Sequence, residues 1–240
     1  MIPALSQYRR LDELRIVATL ARLRDRIAER FPDSGLSRIA DELLALNTEV
    51  TAFVTYVQKP NWPIRFGAAV AIVGMAGVIL AIAGSFTLSS GIGGVTDLIQ
   101  AADAALSTFV FLGAMVFFLL TLEARLKRRK ALAILHQLRS MAHVVDMHQL
   151  TKDPERIASA EPDTASSPER LLSPAELGRY LDYCSELLSL ISKLGALHVQ
   201  HFNDPVTLAA VNEVESLTSG LSSKIWQKIT LLERDRGDAR

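Results

Sequence analysis

The chain has 240 residues with 26 bases, 26 acids and one cysteine. A formal charge of zero gives no global attraction to a polyanion, so a nucleic-acid partner is not expected. With Cys184 as the sole cysteine, an intrachain disulfide and a Cys-x-x-Cys metal pair are both excluded.

Hydrophobic residues make up 49% of the chain, which is close to a soluble average, but they are unevenly spread. Residues 67–96 and 104–122 contain no charged side chain, whereas the rest is charge-rich. The N-terminal "MIPALSQYRRLDELR" lacks the apolar core of a secretory signal, so any insertion into lipid is expected to use the internal segments.

The first predicted helix covers residues 5–31. Ile16, Leu20, Leu23 and Ile27 recur along it at 4-3-4 spacing within an Arg-rich surface interleaved with acids. Arg22 and Asp25 are placed for an intrahelical pair. A second helix is predicted over 36–57, where Leu36, Leu43, Val50 and Val57 recur at sevens with Ile39, Leu46 and Phe53 between them, a coiled-coil-like stripe. "QKPNWP" (58–63) then breaks the helix at its prolines.

Crossing the hydrocarbon core takes about 20 apolar residues as a helix. Residues 67–86 and 104–122 supply two such runs, with spans expected at about 66–86 and 103–123 and a short loop at 87–102. Lys59 and Arg65 precede the first span, and Arg125, Lys127, Arg128, Arg129 and Lys130 follow the second. The loop between them carries no base, so both termini are expected on the cytoplasmic side. The run "RLKRRK" is thereby read as a membrane exit, with Trp62 as an interfacial anchor; Trp62, Arg65, Arg125, Lys127, Arg128, Arg129 and Lys130 form the expected lipid interface. The first span carries small residues at Gly67/Ala71, Gly77/Ala81 and Ala81/Ser85, a spacing that lets helix backbones approach in lipid.

No Gly or Pro interrupts residues 114–152. The second span is therefore expected to continue as a stalk to about residue 150 on a seam of Ala131, Leu135, Leu138, Ala142 and Val145. A helix over 97–150 would be about 80 Å long. Residues 151–172, rich in Pro, Ser, Ala and charge, read as a linker. "SPAE" (173–176) is a helix start with Ser173 as cap, Pro174 first and Glu176 closing a capping box. "NDP" (203–205) starts the last helix, so residues 173–235 predict an antiparallel helical hairpin.

Few side chains point to chemistry. His136, His143, His198 and His201 are weak metal candidates at helical spacing, without a zinc signature, and no metal or cofactor is expected. "GIGG" (91–94) has no strand before it and is not a dinucleotide loop. Asp97 and Asp103 flank the start of the second span. They suit the N-terminal helix dipole or, in an oligomer, an acidic pore mouth.

The fold class expected is an all-α membrane protein, a two-helix transmembrane hairpin with a cytoplasmic helical bundle and coiled coil. Its parts are an N-terminal helical pair (1–60), the hairpin (61–124), the stalk (125–150), the linker (151–172) and the C-terminal hairpin (173–235). The order of coiled coil, span, loop, span and coiled coil is similar to that of some oligomeric channels, but the loop has no dense acidic filter motif. The function expected is a non-enzymatic, homo-oligomeric scaffold or regulatory interaction protein with an unknown cytoplasmic protein partner, in a bacterial inner membrane. The alternative is a cation-preferring pore gated by the cytoplasmic helices.

Overall fold

In the computed structural model the described residues are 10–88, 95–152, 154, 165 and 172–238. The loop at 89–94, most of the linker at 151–172 and the side chains of Asp97, His198 and His201 lie outside the described set. Among the described residues every regular element is an α-helix: α1 (Glu13–Arg30), α2 (Gly35–Gln58), α3 (Trp62–Leu88), α4 (Val95–Leu150), α5 (Pro174–His201) and α6 (Pro205–Asp238). They divide between two compact units, Met1–Gln58 with Lys130–Arg240, and Lys59–Arg129.

In the larger unit each helix starts where a side chain satisfies the orphan N–H groups of its first turn. Asp12 caps α1, its Oδ1 accepting the Arg15 N–H at 3.3 Å. The turn from α1 passes through Asp33 at φ 58°, in the left-handed region that Asp enters more readily than most non-glycine residues. Ser34 Oγ then accepts the Ser37 N–H at 3.1 Å and opens α2. At α5 the Ser173 hydroxyl accepts the Glu176 N–H at 3.3 Å, and Glu176 Oε2 accepts the Ser173 N–H at 2.8 Å. This is the reciprocal box that the spacing predicts. Asp204 is buried and accepts both the N–H and the hydroxyl of Thr207, opening α6.

The stripes of these helices meet in one core. Leu20, Leu23 and Ile27 of α1, Leu36, Leu43 and Val50 of α2, Leu135, Leu138 and Val145 of α4, Leu181, Leu188 and Ile191 of α5, and Val214 and Ile225 of α6 belong to the same buried cluster. The longest contact runs between α5 and α6, and α1 and α2 pack on each other and on α5. Phe31 closes one end edge-on to Tyr180 and Tyr183. These stripes are covered by helices of the same chain.

The surface of α1 differs from expectation in one detail. Asp25 is met by Arg24, which also reaches Asp41, while the Arg22 Nε donates to the Ala18 carbonyl. Arg26 crosses to Glu186 on α5 with Nη2–Oε2 at 2.5 Å and lies over the Tyr183 ring. The guanidinium therefore serves an inter-helix contact, which spacing within one helix cannot predict.

The smaller unit is built the opposite way. It holds α3 and residues 95–129 of α4, and its large side chains point outward: Phe66, Val73, Leu80, Leu106, Phe111 and Phe117 are all exposed. Among its described apolar residues only Ala68 and Ala71 are buried. A recess of 370 Å³ lies between Met75, Val78 and Ile79 on α3 and Leu106, Phe109 and Leu112 on α4.

Candidate membrane interface

Two helices are long and apolar enough to cross a membrane, one within Gly35–Ala81 and one within Ala105–Leu150. Their most apolar windows have mean hydropathies of 2.1 and 2.3, and only 11% and 0% of those windows is buried by protein. A core helix of a water-soluble domain would be mostly covered.

At the end of these apolar surfaces sits a compact polar cluster. The α2–α3 connection, Lys59 to Asn61, runs past α4 at Glu123. One carboxylate oxygen of Glu123 takes the Lys127 Nζ at 2.7 Å and the Asn61 N–H at 3.5 Å; the other takes the Arg65 Nε at 3.2 Å. The Lys127 Nζ also donates to the Lys59 carbonyl at 3.3 Å. The side chains of Glu123 and Lys127 are only 15% and 10% exposed, so each charge depends on the other in place of water. Pro60 leaves this connection non-helical, and the freed Lys59 carbonyl and Asn61 N–H are the groups that the cluster engages.

Beside this cluster Trp62 is 74% exposed at the first position of α3. It follows Asn61, whose N–H donates to the Glu123 carboxylate. Of the bases predicted for a lipid interface, the cluster brings together Arg65 and Lys127. Arg125 and Arg129 are exposed and Arg128 is half-buried. In the larger unit the Lys130 Nζ sits 4.0 Å over the centroid of the Tyr56 ring, a cation–π contact. Composition and hydropathy pass over Glu123, the residue that organises the cluster. Its only sequence signal is the Glu-to-Lys spacing of four at the last turn of an apolar run.

The remaining candidates are dispersed. Asp103 is exposed. His143 is exposed, and His136 lies exposed on a groove of 640 Å³ beside Glu42 and Glu49. Among the described residues no group of three or more His, Cys, Asp or Glu is placed to hold a metal ion. His148 packs its imidazole against the Gly35 Cα, where an added Cβ would collide with the ring. Burial first, then the charges of Arg38 and Lys152, hold its pKa below the usual histidine value. Cys184 is buried in the α5 stripe as a core side chain, and burial pushes its thiol up to about 12.

Comparison with protein-family models, curated proteins and solved structures finds no match to this chain.

Proposed function

We propose that the chain is a non-enzymatic integral membrane protein whose α3–α4 hairpin crosses the bilayer twice. Both termini lie in the cytoplasm, and the helical unit there acts as a scaffold or regulatory interaction domain. The observation that carries this reading is the contrast in burial between the two units. Phe111 and Phe117 are 76% and 66% exposed, in helices with no charge over 104–122. In water such a surface would drive aggregation, whereas in hydrocarbon it is the expected lipid face. The polar cluster around Glu123 supports a membrane boundary at that level, with Trp62 beside it. We assign the membrane to a bacterial inner membrane, which fits a chain whose single cysteine leaves no disulfide framework; the flanking bases set the orientation and not the membrane.

Self-association is part of the proposal. Added Cβ atoms at Gly67, Gly74 and Gly77 would meet no neighbouring atom, so the α3 backbone is open to close approach by a second copy. The cytoplasmic unit brings a closed core of its own, and its contribution is surface for a protein partner.

The experiment is topology mapping in intact cells. Cys184→Ala supplies a thiol-free background, and single cysteines are placed at Ser90 and at Ser223. A membrane-impermeant maleimide should label Ser90→Cys from outside and reach Ser223→Cys only after the cells are opened. Labelling of both positions from one side, or recovery of the chain in the supernatant after ultracentrifugation without detergent, would refute the two-span reading.

A further inference from the structure

The bases that flank the two apolar stretches differ in what surrounds them. Arg65 and Lys127 both pair with Glu123, Lys127 also donating to the Lys59 carbonyl; Lys130 lies over the Tyr56 ring, and Arg128 is half-buried. Arg125 and Arg129 are exposed, one turn apart, with no side-chain partner among the described residues. At 3.6 residues per turn, Phe118, Leu122, Arg125 and Arg129 line one face of α4. Glu123 and Lys127 lie about half a turn round the helix from them. The two guanidiniums therefore point away from the carboxylate that neutralises the other bases. On the same face, an exposed phenylalanine and a half-buried leucine precede them toward the apolar stretch.

From this separation we infer that Arg125 and Arg129, with Phe118 and Leu122, form a binding site for the headgroup and first acyl carbons of one anionic phospholipid. The inference rests on the two-span reading above. The chemistry fits in three ways. A guanidinium pair at successive turns presents two donor forks to phosphate oxygens, which a pair of ammonium groups cannot do. Bases at the exit of a span lie at headgroup depth, where anionic lipid attracts them. The apolar pair below them meets chain carbon and not water, which distinguishes a lipid from a free phosphate. Lys127, on the opposite face, stabilises the protein and contributes nothing to the lipid preference.

The test uses the full-length chain reconstituted in vesicles of phosphatidylcholine with phosphatidylglycerol. The chain is then extracted in mild detergent, and the ratio of the two co-purifying lipids is measured. The wild type should be enriched in phosphatidylglycerol over the vesicle composition. R125Q/R129Q should lose the enrichment by roughly 5-fold or more while its thermal midpoint stays at the wild-type value. Lys127→Gln should keep the enrichment and lower the midpoint. Excess glycerol 3-phosphate should leave the bound phosphatidylglycerol in place; displacement would overturn the lipid assignment in favour of a soluble anion. Wild-type enrichment retained in R125Q/R129Q, or an equal loss in Lys127→Gln, would also overturn it. Sedimentation with pure phosphatidylcholine vesicles separates the two levels of the argument. A chain that embeds there yet shows no lipid preference refutes this site alone, whereas a chain left in the supernatant refutes the two-span reading and this site with it.

Discussion

Glu123 is held by the bases around it, and His148 first by burial and then by the charges of Arg38 and Lys152. Removing the Glu123 charge leaves the Lys127 ammonium almost buried beside a neutral amide. Breaking a buried pair from one side costs about 3 kcal/mol, so Glu123→Gln should lower the thermal midpoint in detergent by several degrees. Glu123→Gln with Lys127→Met should recover part of that loss, since no unpaired ammonium remains. A double variant as unstable as the sum of its single changes would show that the pair is not coupled. For His148 the sign follows from its lowered pKa. Between the folded value and the unfolded value of about 6.5, the unfolded chain binds more protons than the folded one, so stability rises with pH. Acidification below about 6.5 should therefore weaken the larger unit. Urea unfolding at pH 7.5 and pH 5.5 should show a smaller difference for His148→Gln than for the wild type; equal differences would mean that the imidazole does not contribute to the slope.

At the scale of elements, helix starts were legible in the sequence because they depend on residues three apart. Ser173-Pro174 with Glu176, and Asp204-Pro205, open α5 and α6. Ser173→Ala removes an acceptor for the first turn and should cost about 1 kcal/mol, read as a shift of the urea midpoint at constant slope. The Glu176 carboxyl is held below the usual range first by the Ser173 hydroxyl and then by its N–H. That contribution is present above the unfolded value and is lost as pH falls through the folded one, so the Ser173→Ala deficit should shrink in acid. Apolar periodicity was equally legible: every core stripe of α1, α2 and the 131–145 stretch of α4 is buried. The pairing of elements was not legible. Arg26 with Glu186 joins residues 160 positions apart, and Leu11 is tied to Gln200 by two hydrogen bonds across 189. No local spacing encodes such contacts. The Glu123 cluster fell between the two cases. Its Lys127 arm is a local pair, but its Arg65 and Asn61 arms cross between elements, and a count of bases alone treats Lys127 and Arg125 as equivalent.

For the whole molecule, two different solvents are proposed to stabilise the two units, and that separation can be tested by crossing two substitutions. Leu138 is fully buried in the core of the larger unit. Leu138→Ala should cost 2–5 kcal/mol, roughly the transfer term plus a cavity, and should expose that unit to protease. It touches no apolar outer face, so the chain should stay in the membrane through an alkaline wash. Phe117 is exposed in the middle of the uncharged stretch of α4, where a soluble protein would accept arginine at little cost. In a spanning helix Phe117→Arg is opposed by about 2.5–3.5 kcal/mol on insertion scales. It should reduce the inserted fraction while leaving the protease resistance of the larger unit unchanged in whatever is inserted. The two readouts should therefore move independently, one per substitution. A Phe117→Arg chain that inserts at the wild-type level would show that this face does not meet hydrocarbon. A Leu138→Ala chain lost from the membrane would show that insertion depends on the core of the larger unit.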